Sequence, residues 1–293
     1  MELRVLRYFL TTVNEGNITR AADILHITQP TLSRQLTALE QELGTILLIR
    51  GKRSLSLTDD GMFFKRRAEE IVELADRTEH DFIKKNGSIA GVISIGATEA
   101  VGGHVLAKLM KQFHMKYSHV RFDLYNEMAD NIKDRIDKGL VDVGLLLDPV
   151  DTSKYEYVRF VQKETWGVLL HKNDPLCAKK SLMIQDILHR PLLLPKRKKV
   201  YDQVLSWFGC DESQLNIPVT YTLLSNVALL VEEGMGCAVC LNGALSISHS
   251  SNIQFVPLVP EHYTHSVLIW KKNHLFSPAV TLFIQMIQEQ YPT

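Results

Sequence analysis

The stretch NITRAADILHITQPTLSRQL, residues 17–36, decides how the first part of this chain folds. Asn17 or Thr19 is placed to cap a helix that carries Ala21, Ala22, Ile24 and Leu25 at helical spacing. Thr28-Gln29-Pro30 opens another helix, because proline in a first turn gives up only an N–H that has no partner there. Leu32, Leu36 and Leu39 make its inward stripe, and Gly44 after Leu43 supplies the stop. The small pair Ala21-Ala22 lets the two helices sit close. Two helices around a turn at Leu25-His26-Ile27-Thr28 form a helix-turn-helix, whose second helix enters the major groove of DNA. Groove reading needs short polar side chains at the start of that helix and a cation for phosphate or guanine. Gln29, Pro30, Thr31, Ser33, Arg34 and Gln35 are the candidates. An ordinary amphipathic helix with a polar outer face carries the same pattern, so this helix alone leaves both readings open.

On the N-terminal side, Leu3, Leu6, Phe9, Leu10 and Val13 follow helical spacing up to a break at Glu15-Gly16-Asn17. On the C-terminal side, Ile46 to Ile49, a polar tip Arg50-Gly51-Lys52-Arg53, then Leu55 and Leu57 read as a two-stranded wing. Thr58-Asp59-Asp60 starts a long helix with acids in its first turn, which runs to about Lys85. Its apolar stripe (Phe63, Phe64, Ala68, Ile71, Leu74, Ala75, Thr78, Phe82) suits a helix packed on a partner helix, and one chain alone does not easily cover it. Asn86-Gly87-Ser88 ends that helix as a flexible linker does.

Beyond residue 91 strand and helix alternate. Strands are predicted at Val92–Gly96, Val120–Tyr125, Val141–Leu147, Tyr157–Val161 and Trp166–His171, then at 192–194, 217–222 and 236–241. Helices are predicted up to about His114, over Ile132–Lys138, and near 182–188, 200–208, 225–233 and 277–290. Such alternation implies parallel sheets covered by helices, and two sets of it imply two α/β lobes. The expected division is 1–58, 59–88 and 91–293, in a chain that is α/β overall.

The 293 residues carry 33 Lys+Arg and 33 Asp+Glu, a formal net charge of zero. That sum hides local structure. Residues 1–67 hold 10 basic against 7 acidic residues, a net of +3, and residues 68–90 hold 3 against 6, a net of −3. Within 45–67, Arg50, Lys52, Arg53, Lys65, Arg66 and Arg67 face only Asp59 and Asp60, a net of +4. A basic stretch of this kind is the footprint of phosphate binding. Hydrophobic residues at 45% fit a folded protein with a sizeable core. No apolar run reaches the roughly 18 residues that span a bilayer, and Met1-Glu2-Leu3-Arg4 does not open a secretory signal. Four irregularly spaced cysteines fit reduced thiols, so a cytoplasmic location without a membrane partner is expected.

The series Asn17-x-Thr19-x-Ala21-Ala22-x-x-Leu25-x-x-Thr28-Gln29-Pro30-Thr31-Leu32-Ser33-Arg34-Gln35-Leu36, continued by Leu39-Glu40-x-x-Leu43-Gly44, Leu48-x-Arg50 and Leu57-Thr58-x-x-Gly61, resembles the N-terminal signature of LysR-type transcriptional regulators. Ile49 departs from it, since the family usually has Phe before its Arg. The resemblance implies an N-terminal winged helix-turn-helix, a long linker helix that pairs two chains, and a two-lobed periplasmic-binding-protein-like α/β effector domain. It implies a double-stranded DNA operator as partner, a small-molecule effector, a homodimer through the linker helix and a homotetramer as dimer of dimers. Arg50, Lys52 and Arg53 then sit at the wing tip, where family members contact phosphate, and Thr98 falls where the family often has a ligand-binding Ser or Thr.

A two-lobed α/β domain takes its ligand at the carboxyl ends of strands, where helix N-termini point and favour anions. The candidate edges are Thr98-Glu99-Ala100, Met128-Ala129, Pro195-Lys196-Arg197 and Ser225-Asn226. Met128 makes its edge less polar, and Glu99 at a helix start offsets part of the anion attraction. The expected effector is small, with at least one anionic group, and closes the cleft when it binds. Each of these residues is equally readable as a plain helix cap.

Cys237-Ala-Val-Cys240 is a CxxC, but within a strand residues three apart face opposite sides and the thiols diverge. No HExxH, Gly-x-Ser-x-Gly or phosphate-loop pattern occurs, so neither a catalytic residue, a metal nor a cofactor is expected. A solute-binding protein with an added helical module is the alternative, and an α/β enzyme a remote third.

Overall fold

The computed structural model describes residues 1–51, 55–81, 89–243 and 251–292, with the side chains of Arg50, His80 and Asp81 outside the description. The chain forms two compact units, Met1–Ile83 and Lys84–Thr293. The linker helix, read from the sequence as a segment of its own, belongs to the first.

That first unit contains α1 (Leu3–Glu15), α2 (Ile18–Ile24), α3 (Gln29–Leu43), β1 (Leu48–Arg50), β2 (Leu55–Leu57) and α4 (Asp59–Asp81). Of the two residues proposed as cap, Asn17 does it: its Oδ1 accepts from the Thr19 and Arg20 amides at 2.8 and 3.1 Å. Pro30 sits in the first turn of α3, and Gly44 closes α3 at φ 68°, a left-handed conformation open to glycine at little cost. Phe9, Ala21, Leu32 and Leu36 have no exposed surface, with Leu39 and Leu47 nearly so. Each such buried Leu contributes about 2 kcal/mol. The wing is antiparallel, with Leu48 opposite Leu57 and Arg50 opposite Leu55. Helix α4 is bound to α1 by the Arg7–Asp76 ion pair and by Phe64, whose ring meets Phe9 edge-on at 5.1 Å. Residues 82–88, the expected end of the helix and its hinge, lie outside the described residues.

The second unit runs β3 (Gly91–Ala97), α5 (Gly102–Lys116), β4 (Val120–Asn126), α6 (Ala129–Asp137), β5 (Val143–Leu147), β6 (Tyr155–His171), β7 (Leu192–Pro195), α7 (Lys198–Phe208), β8 (Val219–Tyr221), α8 (Leu224–Glu232), β9 (Cys237–Leu241), β10 (Ile253–Pro257), β11 (Tyr263–Lys271) and α9 (Pro278–Gln290). Among the described residues these strands make one mixed sheet, ordered β4-β3-β5-β11-β6-β9-β7-β8, with β10 also on β6. This corrects the expectation of separate parallel sheets. The parallel pairs β3–β4, β3–β5, β7–β8 and β7–β9 lie at the two ends, and antiparallel β11 and β6 join them. The strands expected at Tyr157–Val161 and Trp166–His171 are one. The first half of β6 pairs with β11 and the second with β9 and β10, so a single 17-residue strand belongs to both lobes. The helix expected near 182–188 is only a short 3-10 turn, Ile184–Asp186.

Each lobe has its own core, one around Phe113, Phe160 and Phe283, the other around Val168, Leu194 and Val204. Helix α6 lies tight on the sheet over Gly96: a Cβ there would meet Ile132 Cγ2 at 2.8 Å. That approach fixes the N-terminal end of α6 over the carboxyl edge of β3.

Glu164, on β6 where it passes between lobes, is 1% exposed. Its carboxylate accepts from the Val101 and Gly102 amides at 2.9 and 3.1 Å and from the Ser266 hydroxyl. It ties the start of α5 to the central strands. Glu164→Ala leaves the Val101 amide without its acceptor and the Gly102 amide with only its 3.3 Å contact to Ser266 Oγ, which costs about 1–3 kcal/mol, roughly 2–12 °C in Tm for a unit of this size. Glu164→Gln, which keeps one acceptor oxygen, loses less. Calorimetric scans of the two variants check this; equal Tm values for Glu164→Ala and the unaltered chain contradict it.

Candidate nucleic-acid interface and ligand cleft

The outer face of α3 starts at Gln29 and Pro30, both exposed, and continues through exposed Arg34; Thr31, Ser33 and Gln35 are half-buried. Thr28 and Thr31 share a hydroxyl hydrogen bond of 2.8 Å that closes the first turn. Glu40, on the same helix, accepts from the Leu47 and Leu48 amides at 2.9 and 3.0 Å. Glu40 therefore clamps the root of the wing to α3, so the two elements present themselves as one rigid surface. In the sequence Glu40 stands out only as part of a signature. Arg50 ends β1 at the wing tip; Lys52 and Arg53 lie outside the described residues.

Lys65, Arg66 and Arg67 stand differently. Lys65 lies 3.4 Å from Glu69, and Arg66 and Arg67 lie 3.9 and 2.9 Å from Glu70, all along α4. The +4 read over residues 45–67 is thus answered in its second half by acids one turn on.

In the second unit a cleft of about 550 Å³ opens between the lobes, a volume suited to a small molecule. Thr98, Glu99, Met128, Ala129, Pro195 and Arg197 line it; Ala100, Lys196, Ser225 and Asn226 do not. The reasons are local. After β7 the chain is extended, so Pro195 and Arg197 face the cleft and exposed Lys196 turns away. Ala100 is buried beneath the rim, and Ser225 and Asn226 are exposed in the first turn of α8. The cleft is met instead by the residues just before that helix, Thr222 and Leu223. The logic that chose Ser225 and Asn226 reaches those two when applied three residues earlier.

Sequence reasoning missed the floor and far wall: Asp148, Arg159, Trp166, Tyr221, Lys199, Tyr263 and His265. Arg159 donates to Asp148 at 2.6 Å. Tyr221 donates to the Val239 carbonyl at 2.7 Å, and burial pushes its phenol well above the ordinary value. Thr98 holds to the opposite strand, its amide and hydroxyl both donating to the Leu145 carbonyl at 3.0 and 3.3 Å.

Glu99 does not serve α5, which it precedes. Its carboxylate accepts from the Leu224 amide, the first of α8 in the other lobe, at 2.5 Å. With Glu164 at the start of α5, protein carboxylates already answer two helix N-termini that the sequence leaves open to an anion. Arg197 and Asp130 form a two-pronged pair, both contacts 3.2 Å. Lys199, exposed at the rim, makes no ion pair among the described residues.

The CxxC thiols diverge as expected. Cys237 packs in one core and Cys240 in another, on opposite faces of β9. Burial raises them to about 11 and about 12, so both stay protonated at neutral pH. Among the described residues no three His, Cys, Asp or Glu side chains group as metal ligands, and no helix is long and apolar enough to cross a membrane.

Residues 3–62 match the bacterial regulatory helix-turn-helix proteins of the lysR family, and residues 86–292 match the LysR substrate binding domain. The Hca operon transcriptional activator HcaR of Escherichia coli is 28% identical over 99% of this chain and 98% of its own. The regulator BsdA of Bacillus subtilis is 28% identical over 96% and 93%. Among solved structures, full-length CbnR complexed with its target DNA superposes with a TM-score of 0.78 at 22% identity, covering 99% of both chains. Full-length BenM gives 0.54 at 26% identity over 99% and 97%. A solute-binding protein carries no such regulatory helix-turn-helix, which sets that alternative aside. The chain belongs to the LysR family and is a DNA-binding transcriptional regulator with a substrate-binding domain.

Proposed function

We propose that this regulator reads a double-stranded operator with α3 in the major groove while the wing grips phosphate, and that a small effector in the interlobe cleft sets its output. Gln29, Pro30, Thr31, Ser33, Arg34 and Gln35 meet the bases or their flanks; Arg50, Lys52 and Arg53 meet the backbone. The observation that carries this is the clamp of Glu40 on the Leu47 and Leu48 amides, which holds recognition helix and wing in one frame. Two chains pair through α4, where Met62, Phe63, Ile71 and Leu74 are exposed. Burying such a face is what a dimer gains. A dimer of dimers then binds two half-sites. The protein works in the cytoplasm and uses no catalytic step, metal or cofactor.

The effector is small and carries at least one anionic group. Lys199 supports that reading, since Arg159 and Arg197 already have carboxylate partners. Leu147, Val200, Leu223 and Tyr263 offer its apolar part a wall. Thr98→Val tests the site. The valine keeps the shape and the Thr98 amide bond to Leu145, and removes only the hydroxyl. Effector potency in a thermal-shift titration is expected to fall about tenfold, the worth of a hydrogen bond to a charged group, with DNA affinity in the absence of effector unchanged. A normal dose–response removes Thr98 from the site.

A further inference from the structure

The cleft is bridged by the chain itself. Glu99, which follows β3 in one lobe, reaches the first amide of α8 in the other at 2.5 Å. Asp130, in the first turn of α6, meets Arg197, which precedes α7, through Nε and a terminal nitrogen at 3.2 Å each. The two contacts share no residue and join different pairs of helix starts. Both span lobes that the sheet connects through β6 and its neighbours. Neither is needed by its own lobe: Thr98 and Ala97 already anchor the β3 end through Leu145 and Glu127, and Lys133 offers Asp130 a partner within α6 at 3.1 Å. Burial favours the protonated Asp130, but hydrogen bonds from Arg197 and Lys133 outweigh it and hold the carboxyl below its ordinary value. The pair is charged at neutral pH.

We propose that these two contacts are a latch that holds the lobes together without ligand, so that closing the cleft is not the event an effector supplies. This rests on the cleft being the effector site, but the latch belongs to the ligand-free protein and stands or falls without any effector. It also revises the mechanism expected from the sequence. A ligand shifts a conformational equilibrium only by its unequal affinity for the two states. In a chain already latched, an effector that favours closure has little left to change, and one that works must loosen or rearrange the Glu99 and Arg197 contacts. If only an unlatched fraction admits the ligand, apparent affinity falls by that fraction.

Hydrogen exchange of the full-length, effector-free protein reads the latch at the Leu224 amide. Glu99→Ala, which removes the acceptor, is expected to speed exchange at Leu224 at least tenfold. The decisive variants are Asp130→Ala and Arg197→Ala, which touch neither Glu99 nor α8. Each is expected to speed exchange at Leu224 about threefold, the size of an exposed ion pair, and the double variant no more than either single one. Asp130 is exposed and Arg197 lines the cleft outside both cores, so their loss leaves the cores intact, which unchanged exchange in β3 and β9 verifies. Exchange at Leu224 equal to that of the unaltered protein in Asp130→Ala and Arg197→Ala overturns the latch. So does an additive double variant, because the two side chains then act apart. The expected exchange pattern in a protein that shows no thermal shift with any small anionic compound refutes the effector reading and leaves the latch standing.

Discussion

Raising the salt concentration from 50 to 200 mM is expected to weaken binding of the full-length protein to a single half-site about 10³-fold. On one half-site the two chains of a dimer each bring Arg50, Lys52 and Arg53 to the backbone, so that six phosphates are neutralised there. Each neutralised phosphate releases condensed counterions, and the log–log slope is about −0.9 per phosphate, so a fourfold rise in salt acts through a slope near −5. Lys65, Arg66 and Arg67 add little to that slope, because each has a glutamate within 4 Å along α4 and gains less from a phosphate than a free cation does. The measurement is a fluorescence-anisotropy titration against a duplex holding one half-site, recovered by selection from a random pool, over a salt series. Lys52→Ala is expected to flatten the slope by about two, since each chain of the dimer then leaves one phosphate unneutralised. A flat response refutes the phosphate grip, and an unchanged slope in Lys52→Ala together with a reduced slope in Lys65→Ala moves that grip from the wing to α4.

What the sequence disclosed and what it withheld divide along one line. Local devices were legible: Asn17 as cap, Pro30 in the first turn, Gly44 as stop, a wing ending near Leu57, and thiols facing apart on β9 all depend on spacing within a few residues. Part of the cleft was legible too, since Thr98, Met128 and Pro195 sit where a strand hands over to the next helix. Most of the rest comes from the end of β5, β6, β11, α7 and the residues before α8. Arg159 and Tyr263 reach the cleft because two antiparallel strands far apart in the sequence pair in a set register, with Tyr263 opposite Thr165 and Val267 opposite Arg159. No short-range pattern encodes that register. The long β6 was split for the same reason: Gln162, Lys163 and Glu164 look like a polar break, yet Lys163 is exposed while Glu164 is buried against the α5 amides. A buried carboxylate with backbone donors cannot be told from a loop carboxylate by composition. Glu99 misled in the opposite direction, since its neighbour in sequence is α5 and its partner in space is α8.

Arg34→Ala is expected to abolish specific operator recognition while the protein stays folded. Arg34 is an exposed side chain in the second turn of α3, and its loss removes nothing from the core of Phe9, Leu32 and Leu36. The Tm should therefore stay within about 2–4 °C, as for surface substitutions far from caps and cavities. Specific binding is another matter. An arginine paired two-pronged with guanine contributes about 1–3 kcal/mol of discrimination. Each dimer places two copies of Arg34 on its half-site, so the loss there is about 2–6 kcal/mol, from roughly 30-fold to more than 10⁴-fold. Because non-specific binding rests on the wing cations, it should survive, and the ratio of operator to random-sequence affinity should fall towards one. Arg34→Lys separates the two roles of the side chain. It keeps a charge for phosphate but loses the planar fork, so it should retain overall affinity and lose base preference. Footprints of Arg34→Ala indistinguishable from those of the unaltered protein would remove Arg34 from the groove. If Arg34→Lys restored full specificity, the guanidinium would be acting on phosphate, and base reading would pass to Gln29, Ser33 and Gln35 of α3.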